Sequence, residues 1–432
     1  MVRIRSGRRI VVVGGGAGGL ELVTRLGRRW TDKVILVDRL AGHVWKPRLH
    51  EVAAGLLGPG EDETSYLAHG RAHGFDFVMG ELTGLDLAQR TIQVARLLSP
   101  ESGAEILGER TIAYDILVLS LGSRVNDFGV PGVLDHCHML DTPLQAQRLQ
   151  HRFLEAAVQV SAGRCERLRV GIVGAGATGV ELAAELHHAA HAMQHYGGLG
   201  ADGRLDITLL DQAPRVLSAA DPRTSARVQD ALEKLGVKVR LAEAVTSVDN
   251  EAFHLKGGDA VACTIKVWAS GVTGLKVVSK LQGLSIGRGG RIIVEPNLAC
   301  VGAEEVFALG DCATALDDQA RPLWPPTAQV AHQQATYLSK TLRPGRSSQR
   351  PIPFRYEPKG FLVSLGANDA AAEFPKLGKD GPAPSAGGAL AKLLYVSLFH
   401  MHRLALHGPV RAMELALADA IRRMAIPPIK LH

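Results

Sequence analysis

One pattern occurs twice in these 432 residues and dictates most of what the chain can become. Ile10-Val11-Val12-Val13, short and wholly apolar, runs into Gly14-Gly15-Gly16-Ala17-Gly18-Gly19 and then the helical stretch LELVTRL. A second apolar run, Val34-Ile35-Leu36-Val37, ends in Asp38. Far downstream, Val170-Gly171-Ile172-Val173 leads into Gly174-Ala175-Gly176-Ala177-Thr178-Gly179 and VELAAELHHAA, and Ile207-Thr208-Leu209-Leu210 ends in Asp211. Both copies close alike, ILVL running into Ser120-Leu121-Gly122 and IKVW into Ala269-Ser270-Gly271. Short apolar runs alternating with helical periodicity predict strands buried on both faces of a parallel sheet. The expected fold class is therefore α/β, with two Rossmann-type dinucleotide-binding domains.

The glycine spacing carries a mechanism. The first glycine of GxGxxG allows the tight strand-to-helix turn, the second admits a pyrophosphate to the backbone, and the third lets helix and strand pack closely. The helix N-terminus then offers unpaired N–H groups and partial positive charge to phosphate. Asp38, nineteen residues after Gly19, stands where a carboxylate takes hydrogen bonds from a ribose. Asp211 follows Gly179 by thirty-two, which predicts a longer helix and loop over HAMQHYGGLGADGR. An acid at that strand end favours a free 2′-hydroxyl, hence NADH over NADPH, although Arg215 lies four residues on. A single GxGxxG is a weak signal; two with matched closing strands are far stronger.

Charge adds a second constraint. Lys and Arg exceed Asp and Glu by 6, but Arg3, Arg5, Arg8 and Arg9 together with the last 45 residues carry +8, leaving −2 for residues 10–387. Basic ends suit a nucleic acid or an anionic membrane surface. No aromatic platform or known module supports nucleic acid, which is set aside. No run of 18 apolar residues exists to cross a bilayer, and the apolar stretch at 10–13 dissolves into glycine too soon for a signal-peptide core. Five scattered Cys and no CxxC argue against a disulfide framework or structural zinc and for a reducing compartment. His187, His191 and His195 share a helical face, but lack carboxylates or Cys at ligand spacing, so no metal is expected.

A third strand-Gly-Asp unit, Phe307-Ala308-Leu309-Gly310-Asp311-Cys312-Ala313, resembles the second flavin signature of two-dinucleotide-domain flavoprotein reductases. With GGGAGGLELVTRL (14–26), HVWKPRLHEVAAG (43–55), VGAGATGVELAAEL (173–186) and PPTAQVAHQQA (325–335), the whole chain resembles the type II NADH dehydrogenases. These are single-subunit NADH:quinone oxidoreductases, and the ending YVSLFHMHRLALHG (395–408) is similar to their proteobacterial branch. The resemblance implies a discontinuous FAD domain over 1–140 and 290–345, an NADH domain over 165–285 and a membrane-association region over 346–432. It implies that Gly14, Gly16, Gly19, Asp38, Lys46, Gly122, Gly310 and Asp311 hold FAD. Gly174, Gly176, Gly179, Glu181, Asp211 and Gly271 would serve NADH, with Glu181 at the nicotinamide side or capping its own helix. Gln329 and Gln333, of an AQxAxQ quinone motif, and Lys359, before FLVSLG, would serve ubiquinone or menaquinone. As residues i and i+4 of a helix started by Pro325-Pro326, the two amides share a face and can meet a quinone carbonyl without charge.

Residues 368–388, rich in Pro, Gly and Ala, read as a linker. Beyond them Leu390, Leu394, Leu398, Met401 and Leu404, then Val410, Met413, Leu417, Ile421 and Met424, recur at helical spacing. Two basic amphipathic helices fit attachment to a membrane lipid surface, or docking on the protein's own core or a homodimer mate. The expectation is a peripheral enzyme at the cytoplasmic face of the inner (plasma) membrane, passing a hydride from NADH to FAD and two electrons to quinone without pumping protons. Two rivals differ in one feature each. A sulfide:quinone oxidoreductase needs a redox-active Cys pair, for which Cys137 is suggestive but lacks an evident partner; a partner-gating flavoprotein would use the basic C-terminus to bind protein. Disulfide reductases need a Cys pair early in the flavin domain, and residues 14–60 contain no Cys.

Overall fold

The computed structural model describes residues 7–27, 32–58, 60, 63–194, 204–343, 352–366, 369–375 and 383–425. Arg3, Arg5, His195, Lys430 and the side chains of Arg423 and Met424 lie outside the described residues. Two compact units divide the chain. The first comprises Met1–Trp45, Asp62–Arg124 and Val272–Glu357, the second Lys46–Glu61, Val125–Gly271 and Pro358–His432. Residues 46–61 and 125–140 thus fall in the second unit, and 272–289 and 346–357 in the first.

The first unit is built on a sheet ordered Ala299–Cys300, Ala303–Ala308, Ile116–Leu119, Arg9–Val13, Lys33–Asp38, Asp76–Met79. All pairs are parallel except the first. Ile10, Val11, Val12, Leu36, Val118 and Leu119 have no exposed surface, as strands covered on both faces require. The segment containing the third glycine signature does return to this sheet: Ala303–Ala308 pairs with Ile116–Leu119, Ala308 opposite Leu119.

The second unit repeats the arrangement in a five-stranded parallel sheet ordered His138–Met139, Ile265–Trp268, Leu168–Val173, Leu205–Leu210, Lys238–Arg240. The duplication holds to the atom. Gly14 N–H donates to Val37 O and Gly174 N–H to Leu210 O, each at 2.8 Å. Ser120 N–H donates to Val13 O and Ala269 N–H to Val173 O, again at 2.8 Å. In each copy the chain builds outward from the first strand to one side and then crosses to the other, so a crevice opens at the strands' carboxyl ends between the glycine loop and the closing strand.

A small antiparallel sheet, Phe361–Ser364, Ala370–Glu373 and Ser385–Gly387, completes the second unit and packs on helix Gly388–His407. The stretch expected as a linker or loop therefore contributes two of its strands, and Ala391, Leu394 and Tyr395 seal its core. Leu394 belongs to this inward side rather than to the outward stripe, where Leu393 stands exposed instead. A helix follows at Pro409–Ala425. Among the described residues no helix is long and apolar enough to cross a membrane.

The third glycine of each motif has no room to change. A Cβ on Gly179 would sit 1.8 Å from Gly174 O, whereas one on Gly176 would meet nothing within 4 Å. Gly179→Ala should therefore lower stability by about 1–3 kcal/mol, the usual cost of overpacking, and Gly176→Ala by less than about 0.5 kcal/mol. Urea unfolding of both variants beside the parent protein checks this; equal losses would refute the packing account.

Candidate active site

In the first unit, Asp38 organises the glycine loop. Its Oδ2 accepts from Gly15 N–H at 2.6 Å and its Oδ1 from Leu40 N–H at 2.8 Å. Burial pushes its pKa up, and these amides oppose the rise by favouring the charged form. The Gly15 carbonyl takes the Tyr66 hydroxyl at 2.8 Å and lies 3.0 Å from His43 Nδ1, so the loop is held from both sides. Gly14, at φ +100°, lets the chain turn where a Cβ would meet Ser120 O at 2.2 Å.

The same loop fits a nucleotide. A Cβ on Gly16 or Gly122 would meet nothing within 4 Å, leaving open space over the backbone. Gly310, at φ +71°, donates its N–H to Gln334 Oε1 at 2.7 Å, and Asp311 Oδ2 accepts from the Ser123 hydroxyl at 2.7 Å. Gln334 is fully buried and its Nε2 has no partner, a donor left over beside the third glycine signature. Open cradle, helix N-terminus and orphaned donor together suit a flavin dinucleotide. Lys46 is placed in the second unit, its Nζ 3.0 Å from Asp141 Oδ1.

The second unit uses the same device. Asp211 Oδ2 accepts from Ala175 N–H at 2.6 Å and Oδ1 from Ala213 N–H at 2.8 Å. The longer connection in this copy therefore still delivers the carboxylate to the equivalent place. Gly174 turns at φ +112° and Gly176 leaves its pyrophosphate side open. Gly271 O accepts from Asn126 N–H at 3.3 Å, and a Cβ there would strike the Phe128 ring.

Helix Ala328–Thr341 starts just after the proline pair, capped by the Thr327 hydroxyl. Gln329 Oε1 accepts from the Tyr356 hydroxyl at 2.7 Å. Gln333 clamps Glu357 from both ends, donating Nε2–H to Glu357 O at 2.8 Å and accepting from its N–H at 3.0 Å. The two glutamines are thus tied to one short segment rather than forming a solvated face. His332, between them, places Nδ1 2.7 Å from the buried Glu21 carboxylate on the first glycine helix. Lys359 is exposed, in the second unit.

Glu181 sits at the centre of a buried cluster. Its Oε1 accepts from Ser364 N–H at 3.1 Å, and its Oε2 lies 3.3 Å from His50 Nδ1. His50 Nε2 is 3.4 Å from the Tyr395 hydroxyl. Ser364 Oγ lies 3.0 Å from Glu185 Oε1 and accepts from Lys392 Nζ at 2.8 Å. Burial drives Glu181 well above the ordinary carboxylate range, with Glu185 and Glu51 adding to the rise. Burial also lowers His50 to about 4, so a neutral imidazole faces a carboxyl that burial pushes toward its protonated form.

The family model of the pyridine nucleotide-disulphide oxidoreductases matches residues 8–335. The type II NADH:quinone oxidoreductase of Haemophilus influenzae is 37% identical, over 98% of this chain and 100% of its own. This chain is a member of the type II NADH:quinone oxidoreductases. A Plasmodium falciparum NDH2 solved in complex with NADH shares the fold at TM-score 0.83 and 17% identity, covering 98% of this chain and 100% of that one. The Aquifex aeolicus sulfide:quinone oxidoreductase does so at TM-score 0.74 and 15% identity, covering 98% and 96%. FAD and NADH are the cofactors of the family to which this oxidoreductase belongs.

The cysteines separate the two chemistries that share this fold. Cys137 and Cys263 pack in one apolar cluster of the second unit, and burial raises their thiols to about 12 and about 11. Thiols so placed stay protonated and inert. Among the described residues no three His, Cys, Asp or Glu side chains group to hold a metal.

Sequence reasoning assigned Glu181 but missed His50, Ser364, Glu185, Lys392 and Tyr395. One signal was available: Glu185 stands one helical turn from Glu181, so two carboxylates face the same way. The rest come from distant segments. In the fold His50 is neutral between pH 6.5 and about 4, where the unfolded chain binds a proton. Stability should therefore fall as pH drops through that window, by about 3 kcal/mol for a shift of this size. Urea unfolding from pH 7 to 4.5 should show the fall in the parent protein and a flatter profile in His50→Gln.

Proposed function

We propose that this protein is a peripheral NADH:quinone oxidoreductase in which the first glycine loop, Asp38, Gly122, Gly310 and Asp311 hold FAD, and the second loop with Asp211 holds NADH. The observation that carries this reading is the pair of glycine loops, each organised by its own carboxylate and each left open where a pyrophosphate would lie. FAD, when bound, supplies hydride acceptance from NADH and two-electron delivery to quinone. The chain's residues do the remaining work. Gln329, Gln333 and Lys359 serve the quinone as polar and cationic partners for its oxygens. The overall change, NADH + H⁺ + quinone giving NAD⁺ and quinol, consumes one proton from the medium, and Glu181 is the acid that holds it. A carboxyl whose burial pushes its pKa well above the ordinary range suits that task, since it holds a proton to a higher pH than an ordinary carboxylate does.

Anaerobic mixing with NADH should bleach the flavin and a short-chain quinone should restore it. Bleaching by sulfide would instead favour the rival chemistry. Asp211→Ser should narrow the preference for NADH over NADPH by at least about tenfold, because a carboxylate beside the 2′ position repels phosphate. Comparing flavin reduction by both nucleotides checks this.

The same reading places the protein on a lipid surface at the cytoplasmic face of the membrane. Helix Pro409–Ala425 leaves Val410, Met413, Leu417 and Ile421 exposed along one stripe, with Met413 at 70% and Leu417 at 62%. Leu390, Leu393, Met401 and Leu404 are exposed on the helix before it. Apolar side chains in such number beside Arg411 and Arg422 suit the boundary between headgroups and acyl chains. Removing 389–432 would also remove Lys392 and Tyr395 from the Glu181 cluster, so point changes test the surface better. Met413→Glu with Leu417→Glu should abolish flotation with anionic liposomes while leaving turnover with a water-soluble quinone within about twofold. Unchanged flotation would sink the assignment.

A further inference from the structure

The Glu181 cluster contains a residue whose position says more than its chemistry. His50 lies on the short helix Leu49–Ala53, only 2% exposed, with its two ring nitrogens facing two different groups. Nδ1 meets the Glu181 carboxyl at 3.3 Å and Nε2 meets the Tyr395 hydroxyl at 3.4 Å. One glutamate helix, one histidine helix and one C-terminal helix thus meet at a single imidazole.

We propose that His50 is a positioning residue for quinone reduction: it holds the protonated carboxyl of Glu181 in one orientation by accepting its O–H at Nδ1, while its own Nε2–H donates to Tyr395. This rests on the reading of Glu181 as the proton-holding acid. The surroundings enforce that arrangement. Glu51, the neighbour whose charge favours a second proton on the ring, is engaged by an ion pair with Arg48. Arg48 and Lys392 both oppose a positive imidazole. Ser364 holds the other oxygen of Glu181 and separates it from Glu185 and Lys392. Helix Pro143–Ser161, packed on the His50 helix, buries Ala146, Leu149, Gln150 and Phe153 and leaves Arg148, His151 and Glu155 exposed. A neutral imidazole in this setting has one acceptor and one donor, and besides the Glu181 carboxyl and the Tyr395 hydroxyl the Pro47 carbonyl also reaches the ring.

The quinone takes two electrons and one proton as the hydride equivalent that NADH supplied; its second proton comes from Glu181, whose O–H bond breaks as the second quinol O–H bond forms. The carboxylate left behind regains a proton from the medium. His50 is neither oxidised nor reduced and acts through Glu181 alone. Its loss should slow delivery of the proton without altering the arrival of the hydride.

The test separates the half-reactions of the full-length, flavin-loaded enzyme by anaerobic stopped flow. His50→Leu removes both polar contacts, and His50→Asn returns a polar group near Nδ1. Tyr395→Phe removes one oxygen and keeps the ring, so it decides the matter should His50→Leu fail to fold. Flavin reduction by NADH should stay within twofold in all three. Reoxidation by a short-chain ubiquinone should fall at least tenfold in His50→Leu at saturating quinone, with unchanged half-saturation and an enlarged solvent deuterium isotope effect. Asn should recover part of the rate, and Tyr395→Phe should show a smaller loss of the same kind. Reoxidation by ferricyanide, which takes electrons and no proton, should be unaffected. Equal slowing with ferricyanide, a rise in half-saturation alone, or no change with quinone would each overturn the proposal. Glu181→Gln keeps the two readings apart. If it slows reoxidation by quinone and His50→Leu does not, only the role of His50 falls; if it has no effect, the reading of Glu181 falls first.

Discussion

At the end of the second strand of each copy, a carboxylate reaches back to a backbone amide in the glycine loop and forward to the amide two residues on. Asp38 does so with Gly15 and Leu40, Asp211 with Ala175 and Ala213, at 2.6 and 2.8 Å in both copies. The rest of each nucleotide site depends on this tie. A glycine-rich turn has high conformational freedom, and without an internal anchor it would lose much of the order that a phosphate needs. The carboxylate spends two lone pairs on the loop and keeps others, so a residue that reads a ribose also shapes the turn beside it.

Close packing makes that anchor effective. Gly19 and Gly179 bring helix against strand so tightly that a methyl group would overlap the carbonyl of Gly14 or Gly174. The first unit then adds contacts that the second does not repeat. Gln334 on helix Ala328–Thr341 accepts from Gly310 N–H, and His332 on the same helix meets Glu21 on the first glycine helix. The helix bearing the two glutamines assigned to quinone is therefore locked to the flavin-side loops by its other polar residues. Gln329 and Gln333, four residues apart, share one face, while Gln334, the next residue along, is turned by about 100° and meets the Gly310 loop.

The Glu181 cluster follows a different logic. Two carboxyls and an ammonium share an interior with a serine, an imidazole and a phenol. Burial of so many polar groups is tolerated because each has a partner and because burial shifts both the central acid and the imidazole toward their uncharged forms. The cost of charging either one is what makes the pair useful to a reaction that must supply a proton at neutral pH.

Both nucleotide loops, their acids, the returning Gly310-Asp311 segment and the helix carrying Gln329 and Gln333 were legible in the sequence, because each is a local pattern. Glycines at fixed offsets, an acid after an apolar run and a proline pair before a helix act within a few residues of themselves. The placement of Lys46 beside Asp141, the two strands hidden in the Pro/Gly/Ala-rich stretch at 368–388 and the inward turn of Leu394 were not legible. Neither was the meeting of His50, Glu181, Ser364 and Tyr395, which stand up to 345 residues apart in the chain. Local chemistry selects a turn or a helix start, and sequence carries it directly. Which buried polar groups share an interior depends on how distant segments pack, and only the tertiary structure decides that.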